Sequence, residues 1–80
     1  METLTVKQFK EKLAQRIKLR RKELGYTQPD LAIKIGFKDK QVVNNYEING
    51  ANPTAYNLVL IAKALDLSID ELLDFSRLPS

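Results

Sequence analysis

Polar side chains crowd into one short segment of the chain, KQVVNNYE, at residues 40–47. If this segment is helical, Val43 and Tyr46 share one side, and the opposite side carries Lys40, Gln41, Asn44 and Asn45. An amide offers a donor and an acceptor, so it can pair with the edge of a base, and a lysine can donate to guanine or to a phosphate. A merely solvated face would more often carry Glu and Lys, because Asn is a poor helix former. The alternative is that the two adjacent Asn mark a weak, loop-like segment.

The elements that must position these side chains are all predicted to be helices. Apolar residues recur at every third or fourth position, and alternation with a period of two is absent. Capping boxes are expected at Thr5 with Gln8, at Thr27 with Asp30, and at Ser68 with Glu71. Asp39 and Thr54 are the expected N-caps of the third and fourth helices, and Gly25 and Gly36 are expected to end the first two. The pattern therefore predicts five helices.

The second and third predicted helices are joined by a short turn that contains Gly36, which indicates a helix-turn-helix. Glu47 follows Tyr46 near the inward side of the third helix. A partly buried carboxylate needs a cationic partner, and an arginine would suit it because a guanidinium binds a carboxylate through two hydrogen bonds.

The chain length and composition limit the classes of function. Eighty residues make one small domain, which we assign to residues 1–80, with a core at about 5–75 and a flexible tail at 76–80. There is no Cys and no His, and we find neither a metal-ligand cluster nor a glycine-rich phosphate loop, so an enzyme is not expected and no metal or cofactor is expected. No apolar run is long enough to span a membrane, and we expect a cytoplasmic protein.

Charge is distributed unevenly along the chain. Residues 1–25 contain eight Lys or Arg and three acidic residues, whereas residues 51–80 contain two basic and four acidic residues. A polyanion would therefore prefer one side of the molecule. The alternative is that a lysine-rich helix surface is only solvated.

A longer set of ordered features extends this pattern over residues 13–74. They are Gly25-x-Thr27-Gln28-x-x-Leu31-Ala32-x-x-x-Gly36, Val43-x-x-Tyr46-Glu47-x-x-Gly50-x-x-Pro53, Leu58-x-x-Ile61-Ala62-x-x-Leu65 and Leu67-Ser68-x-x-Glu71-Leu72. In these features the chain resembles the helix-turn-helix domain of phage repressors, Cro proteins and Xre-type regulators. The resemblance implies an all-α, compact five-helix, lambda-repressor-like domain that binds double-stranded DNA to regulate transcription, as a repressor does, and that forms a homodimer on DNA.

The resemblance also implies roles for individual residues. Bases would be read by Lys40, Gln41, Asn44 and Asn45. The DNA backbone would be contacted by Gln28, Thr27, Lys38, Asn49, Asn52 and Thr54. Gln28 would also brace the start of the third helix, and Arg21 would pair with Glu47 as a structural pair.

The chain departs from the family pattern in one place, because the segment between Gly36 and Glu47 is one residue longer than usual. We expect the extra residue to lie at Phe37-Lys38, which keeps Val43 and Tyr46 in the core. The string KxxQVVxxYExxG at residues 38–50 also resembles multiprotein bridging factors. The alternative function is therefore a protein-interaction module of the bridging-factor or antitoxin type, with weak DNA binding.

Overall fold

A computed structural model describes residues 4–36, 40–47 and 53–78. Five α-helices and one 3₁₀-helix form in these ranges: α1 (Val6–Glu23), α2 (Gln28–Ile35), α3 (Lys40–Glu47), α4 (Ala55–Ala64), α5 (Ile69–Leu72) and the 3₁₀-helix (Phe75–Arg77). No strand occurs among the described residues, which agrees with the predicted all-α fold. Predictions made for Lys38, Asp39, Asn49 and Asn52 lie outside the described residues, as does the proposed site of the extra residue. The side chain of Lys40 also lies outside them.

All three predicted capping boxes are present. The Thr5 hydroxyl accepts from the Gln8 N–H at 3.1 Å, and the Gln8 side chain accepts from the Thr5 N–H at 3.0 Å. Thr27 pairs with Asp30, and Ser68 with Glu71, in the same way. These bonds satisfy N–H groups that a helix end leaves without partners, so they fix where α1, α2 and α5 begin.

Glycines end the first two helices, as predicted. Gly25 and Gly36 follow α1 and α2 with φ of +74° and +97°, a conformation that glycine adopts without strain. After α4 the corresponding position is Asp66, with φ of +57°. The Leu67 N–H donates to Ala62 O at 2.9 Å, so α4 ends in the same hydrogen-bonded turn although no glycine marks it.

The core draws on every helix. Its most deeply buried apolar residues are Leu13 and Ile17 of α1, Leu31 and Ala32 of α2, Val43 of α3, Ile61 of α4, and Leu65 and Leu72, each at most 1% exposed. Leu73 and Phe75 pack against this cluster, and the Phe75 ring meets the Phe9 ring edge-on with centroids 5.9 Å apart. The C-terminal apolar residues therefore close the core against α1.

Two arginines of α1 hold the last helices in place. Arg16 is only 2% exposed, and its Nη2 donates to Glu71 O at 3.2 Å. Arg20 Nε donates to Leu65 O at 3.0 Å, at the end of α4. Carbonyl groups at helix C-termini lack partners within the helix. The two arginines donate to such carbonyls, and the same bonds hold α4 and α5 against α1. Nothing in the sequence pattern indicates that Arg16 is buried.

Candidate nucleic-acid interface

Helix α3 adopts the register predicted from its sequence. Val43 is 1% exposed and Tyr46 is 8% exposed, while Gln41 is exposed and Asn44 and Asn45 are half-buried. The Gln41 Nε2 donates to Asn45 Oδ1 at 3.5 Å. Val43 and Tyr46 therefore anchor α3 in the hydrophobic core. The amide side chains of α3 lie on the side away from the core, and this side is called the amide face.

The ion pair between Arg21 and Glu47 fixes α3 against α1. Arg21 Nε and Nη2 donate to the two Glu47 oxygens at 2.6 and 3.0 Å, and Arg21 Nη1 donates to Tyr26 O at 2.7 Å. The Glu47 side chain has no exposed surface, and the Arg21 side chain is 11% exposed. Away from water, a pair with this two-bond geometry holds two helices in one orientation.

Gln28 connects this ion pair to the candidate base-reading face. Its Nε2 donates to Glu47 Oε1 at 3.4 Å and to Asn44 Oδ1 at 3.3 Å. The side chain was expected to touch a phosphate and to brace the start of α3, but it contacts the middle and the end of that helix. Because the Gln28 amide nitrogen donates to two side chains of α3, we expect a contact between Gln28 and a phosphate to use its backbone N–H, in the first turn of α2.

Thr27 and Thr54 stand at the N-termini of α2 and α4. Their hydroxyl oxygens accept from the N–H groups of Asp30 and Asn57, each at 3.1 Å. Both threonines are exposed, so each hydroxyl hydrogen can still donate to a phosphate oxygen. The Asp30 carboxylate accepts from the Thr27 N–H, and these bonds lower the pKa of Asp30. Its negative charge weakens this helix terminus as an anion site.

Sequence reasoning missed one residue that orients α3. Asn57 Nδ2 donates to the Tyr46 hydroxyl at 3.3 Å, which ties α3 to α4. A buried tyrosine commonly places its hydroxyl against a polar partner, but the sequence did not indicate which one.

In the part of the chain that the structure describes, no group of His, Cys, Asp and Glu is placed to hold a metal ion. None of its helices combines the length and the apolar character needed to cross a bilayer.

A helix-turn-helix family model matches residues 17–72. The chain belongs to this helix-turn-helix family, which confirms the resemblance drawn from the motifs.

Two relatives have assigned roles. The chain is 41% identical over 61 residues to the cryptic phage CTXphi transcriptional repressor RstR of Vibrio cholerae, covering 76% of this chain and 54% of that protein. It is 40% identical over 57 residues to the antitoxin HipB of Escherichia coli, covering 71% of this chain and 64% of that protein. The chain thus spans between half and two-thirds of the length of these relatives.

Two solved structures share the fold. The restriction-modification controller protein C.AhdI from Aeromonas hydrophila superposes with a TM-score of 0.73 at 32% identity, covering 79% of this chain and 94% of that one. The hypothetical transcription factor NHTF from Neisseria gives a TM-score of 0.76 at 27% identity, covering 91% and 83%. The five-helix fold is therefore that of known helix-turn-helix regulators.

Proposed function

We propose that this chain is a sequence-specific double-stranded-DNA-binding regulator of transcription, acting by binding and without a catalytic step. The observation that carries the proposal is the orientation of α3, since Val43, Tyr46 and Glu47 are buried while the amide face is directed away from the core. A helix held in this way can enter the major groove and present amides to base edges. The relatives named as a repressor and as a controller support the same role.

Each candidate residue has a part in this proposal. Lys40, Gln41, Asn44 and Asn45 read bases, with Gln41 as the most exposed of the described amides. Thr27 and Thr54, with the backbone of Gln28, contact the phosphates, and we propose the same role for Lys38, Asn49 and Asn52. The protein works in the cytoplasm as a repressor of the Xre or Cro type.

The proposal is tested by selecting bound sequences from random duplex DNA at two salt concentrations. We expect one enriched motif at both concentrations and weaker retention at the higher one, because phosphate contacts release counterions. Replacement of Gln41 by Ala should cost ~1–3 kcal/mol on the enriched site and little on random DNA. A library that returns without an enriched motif would reject a sequence-specific role.

We also propose that the protein binds DNA as a homodimer. One short reading helix contacts too few bases for high selectivity, and a symmetric pair on half-sites about one helical turn apart would correct this. Leu72, Leu73 and Phe75 belong to the core or pack against it, so they are poor candidates for a dimer surface. Helix α4 is the better candidate, since Tyr56 and Val59 are 72% and 41% exposed on its outer side.

A protein-interaction module of the antitoxin or bridging-factor type is the second candidate. The likeness to an antitoxin favours it, and so do the exposed apolar side chains Tyr56 and Val59, which a partner protein could cover. This candidate predicts weak DNA binding by the isolated chain. An isolated chain that binds its enriched site with a nanomolar Kd would reject it.

A further inference from the structure

We propose that the Arg21–Glu47 ion pair, acting through Gln28, holds the Asn44 amide with its nitrogen outward, so that Asn44 selects guanine. This inference rests on the proposed function, because it assigns a base preference to one residue of the DNA-reading face. Gln28 acts as a positioning residue, and Asn44 is the residue that contacts the base.

The donor and acceptor order along this chain of side chains follows from the ion pair. Arg21 can only donate, and ionised Glu47 can only accept. Glu47 Oε1 takes a hydrogen bond from Arg21 Nη2 at 3.0 Å and a second from Gln28 Nε2 at 3.4 Å. The Gln28 amide cannot turn over, since its oxygen would then face a buried carboxylate oxygen.

The same order continues from Gln28 to Asn44. The second hydrogen on Gln28 Nε2 lies toward Asn44 and requires an acceptor there, which is Asn44 Oδ1 at 3.3 Å. Asn44 is half-buried, so its amide has limited room to turn. With the oxygen engaged by Gln28, Asn44 offers its Nδ2 hydrogens to a ligand.

A pair of donated hydrogens distinguishes the four bases. Guanine presents two neighbouring acceptors in the major groove, O6 and N7, and thymine presents O4 alone. Adenine pairs its acceptor N7 with a donor at N6, and cytosine presents only a donor at N4. An Asn with both oxygen and nitrogen available would favour adenine through two hydrogen bonds. An Asn whose oxygen is turned toward Gln28 presents only its donors to the base, and this favours guanine.

The test compares base selection by the full chain and three variants. The base pair that Asn44 contacts is identified as the position of the enriched motif at which Asn44→Ala no longer shows a base preference. It is called the Asn44 position. We expect guanine there in the unmodified protein. We expect Asn44→Asp to change it to cytosine, because one carboxylate oxygen still accepts from Gln28 and the other becomes an outward acceptor for N4. Gln41→Ala is the matched control on the same helix and should leave the guanine preference unchanged.

A chemical substitution in the DNA gives a second readout. Replacing that guanine by 7-deazaguanine removes the N7 acceptor and should weaken binding of the unmodified protein about 5- to 100-fold. The same replacement should have little effect on Asn44→Ala. Ratios of binding to guanine and cytosine sites cancel the uniform loss that the added charge of Asn44→Asp causes, and circular dichroism shows whether each variant is folded.

Three results would overturn the inference. Adenine at the Asn44 position, or a motif that Asn44→Ala leaves unchanged, would reject it while the proposed function stands. Retention of guanine by Asn44→Asp would show that the outward atom does not set the preference. Absence of any enriched motif with the unmodified protein would reject the proposed function as well.

Discussion

At the scale of single residues, the molecule depends on a carboxylate that has no contact with water. Breaking the Arg21–Glu47 pair by changing one partner leaves the other as an unpaired buried charge. We therefore expect Arg21→Met and Glu47→Leu each to lower the free energy of unfolding by ~3–5 kcal/mol. The double variant should recover most of this loss, and a remaining deficit of ~1–2 kcal/mol reflects the Tyr26 carbonyl and the Gln28 amide, each of which loses a partner.

Urea unfolding of the four proteins measures this coupling as a double-mutant cycle. The exposed pair of Arg77 with Asp74 provides a control, because side chains 56% and 42% exposed should give a coupling of ~1 kcal/mol or less. Equal couplings for the two pairs would mean that burial does not set the strength of the Arg21–Glu47 interaction.

The same residues show how far sequence reasoning extends to a site. The need for a cation was accessible because a carboxylate beside a core tyrosine requires one, and the family resemblance identified Arg21 as the partner of Glu47. The Gln28 contact with Asn44 was not accessible, since it joins residues 16 apart whose distance depends on how α2 crosses α3. Arg16 was missed for a similar reason: its burial depends on a carbonyl 55 residues away.

At the scale of elements, helix boundaries were the most predictable feature, because caps are local. The three capping boxes and both glycine ends follow from residues within a few positions of one another. Asp66 escaped prediction because its side chain does not require the left-handed conformation that the α4–α5 turn imposes. The sequence pattern does not decide whether Leu72 and Phe75 pack in the core, since apolar residues of this segment serve equally well in a core or in an interface.

The turn after α4 gives a prediction about stability. Asp66 holds φ of +57°, which costs a residue with a Cβ more than it costs glycine. We expect Asp66→Gly to raise the free energy of unfolding by up to ~1 kcal/mol, measured by urea unfolding. Gly25→Ala is the matched opposite change, because an added Cβ there meets no atom within 4 Å and only backbone strain remains. It should lower stability by ~1 kcal/mol. Asp66→Ala removes the charge and keeps the Cβ, so a gain from Ala equal to that from Gly would assign the effect to charge.

The capping boxes give a prediction about pH. Hydrogen bonds from Ser68 lower the pKa of Glu71 below its ordinary value of 4.5, and bonds from Thr27 lower the pKa of Asp30 below 3.8. On acidification below these ordinary values, the unfolded chain takes up protons before the folded one does. The free energy of unfolding should therefore fall with decreasing pH from about 4.5 downward.

Glu71→Gln tests the contribution of one box. Gln at this position can still accept from the Ser68 N–H but does not titrate, so unfolding curves between pH 3 and 6 should show a shallower acid decline. Asp70→Asn removes the same charge from α5 and leaves the Ser68 bond in place. If Asp70→Asn flattened the decline as much as Glu71→Gln, net charge rather than the cap would be responsible.

At the scale of the whole molecule, the charge asymmetry and the proposed dimer together determine how DNA binding depends on salt. The chain carries a net charge of +3, with its excess of basic residues in the first third. If a dimer neutralises roughly four to six phosphates, log K should fall with log salt at a slope of about −4 to −5. A monomer would make half these contacts, so its slope should be about −2.

A variant that prevents association should convert one slope into the other. Tyr56→Asp places a charge on the outer side of α4, where Tyr56 is 72% exposed, so it should leave the fold intact and disrupt an apolar interface between copies. Val6→Asp is the control, since Val6 is also apolar and 65% exposed but lies at the start of α1. We expect Tyr56→Asp to sediment as a monomer, to lose the second half-site from its selected motif and to bind with the shallower slope. Val6→Asp should keep the dimer and the steeper slope.

If Tyr56→Asp retained a two-half-site motif with an unchanged slope, the interface would lie elsewhere than on α4. A single half-site and a slope near −2 for the unmodified protein would show that one copy acts alone.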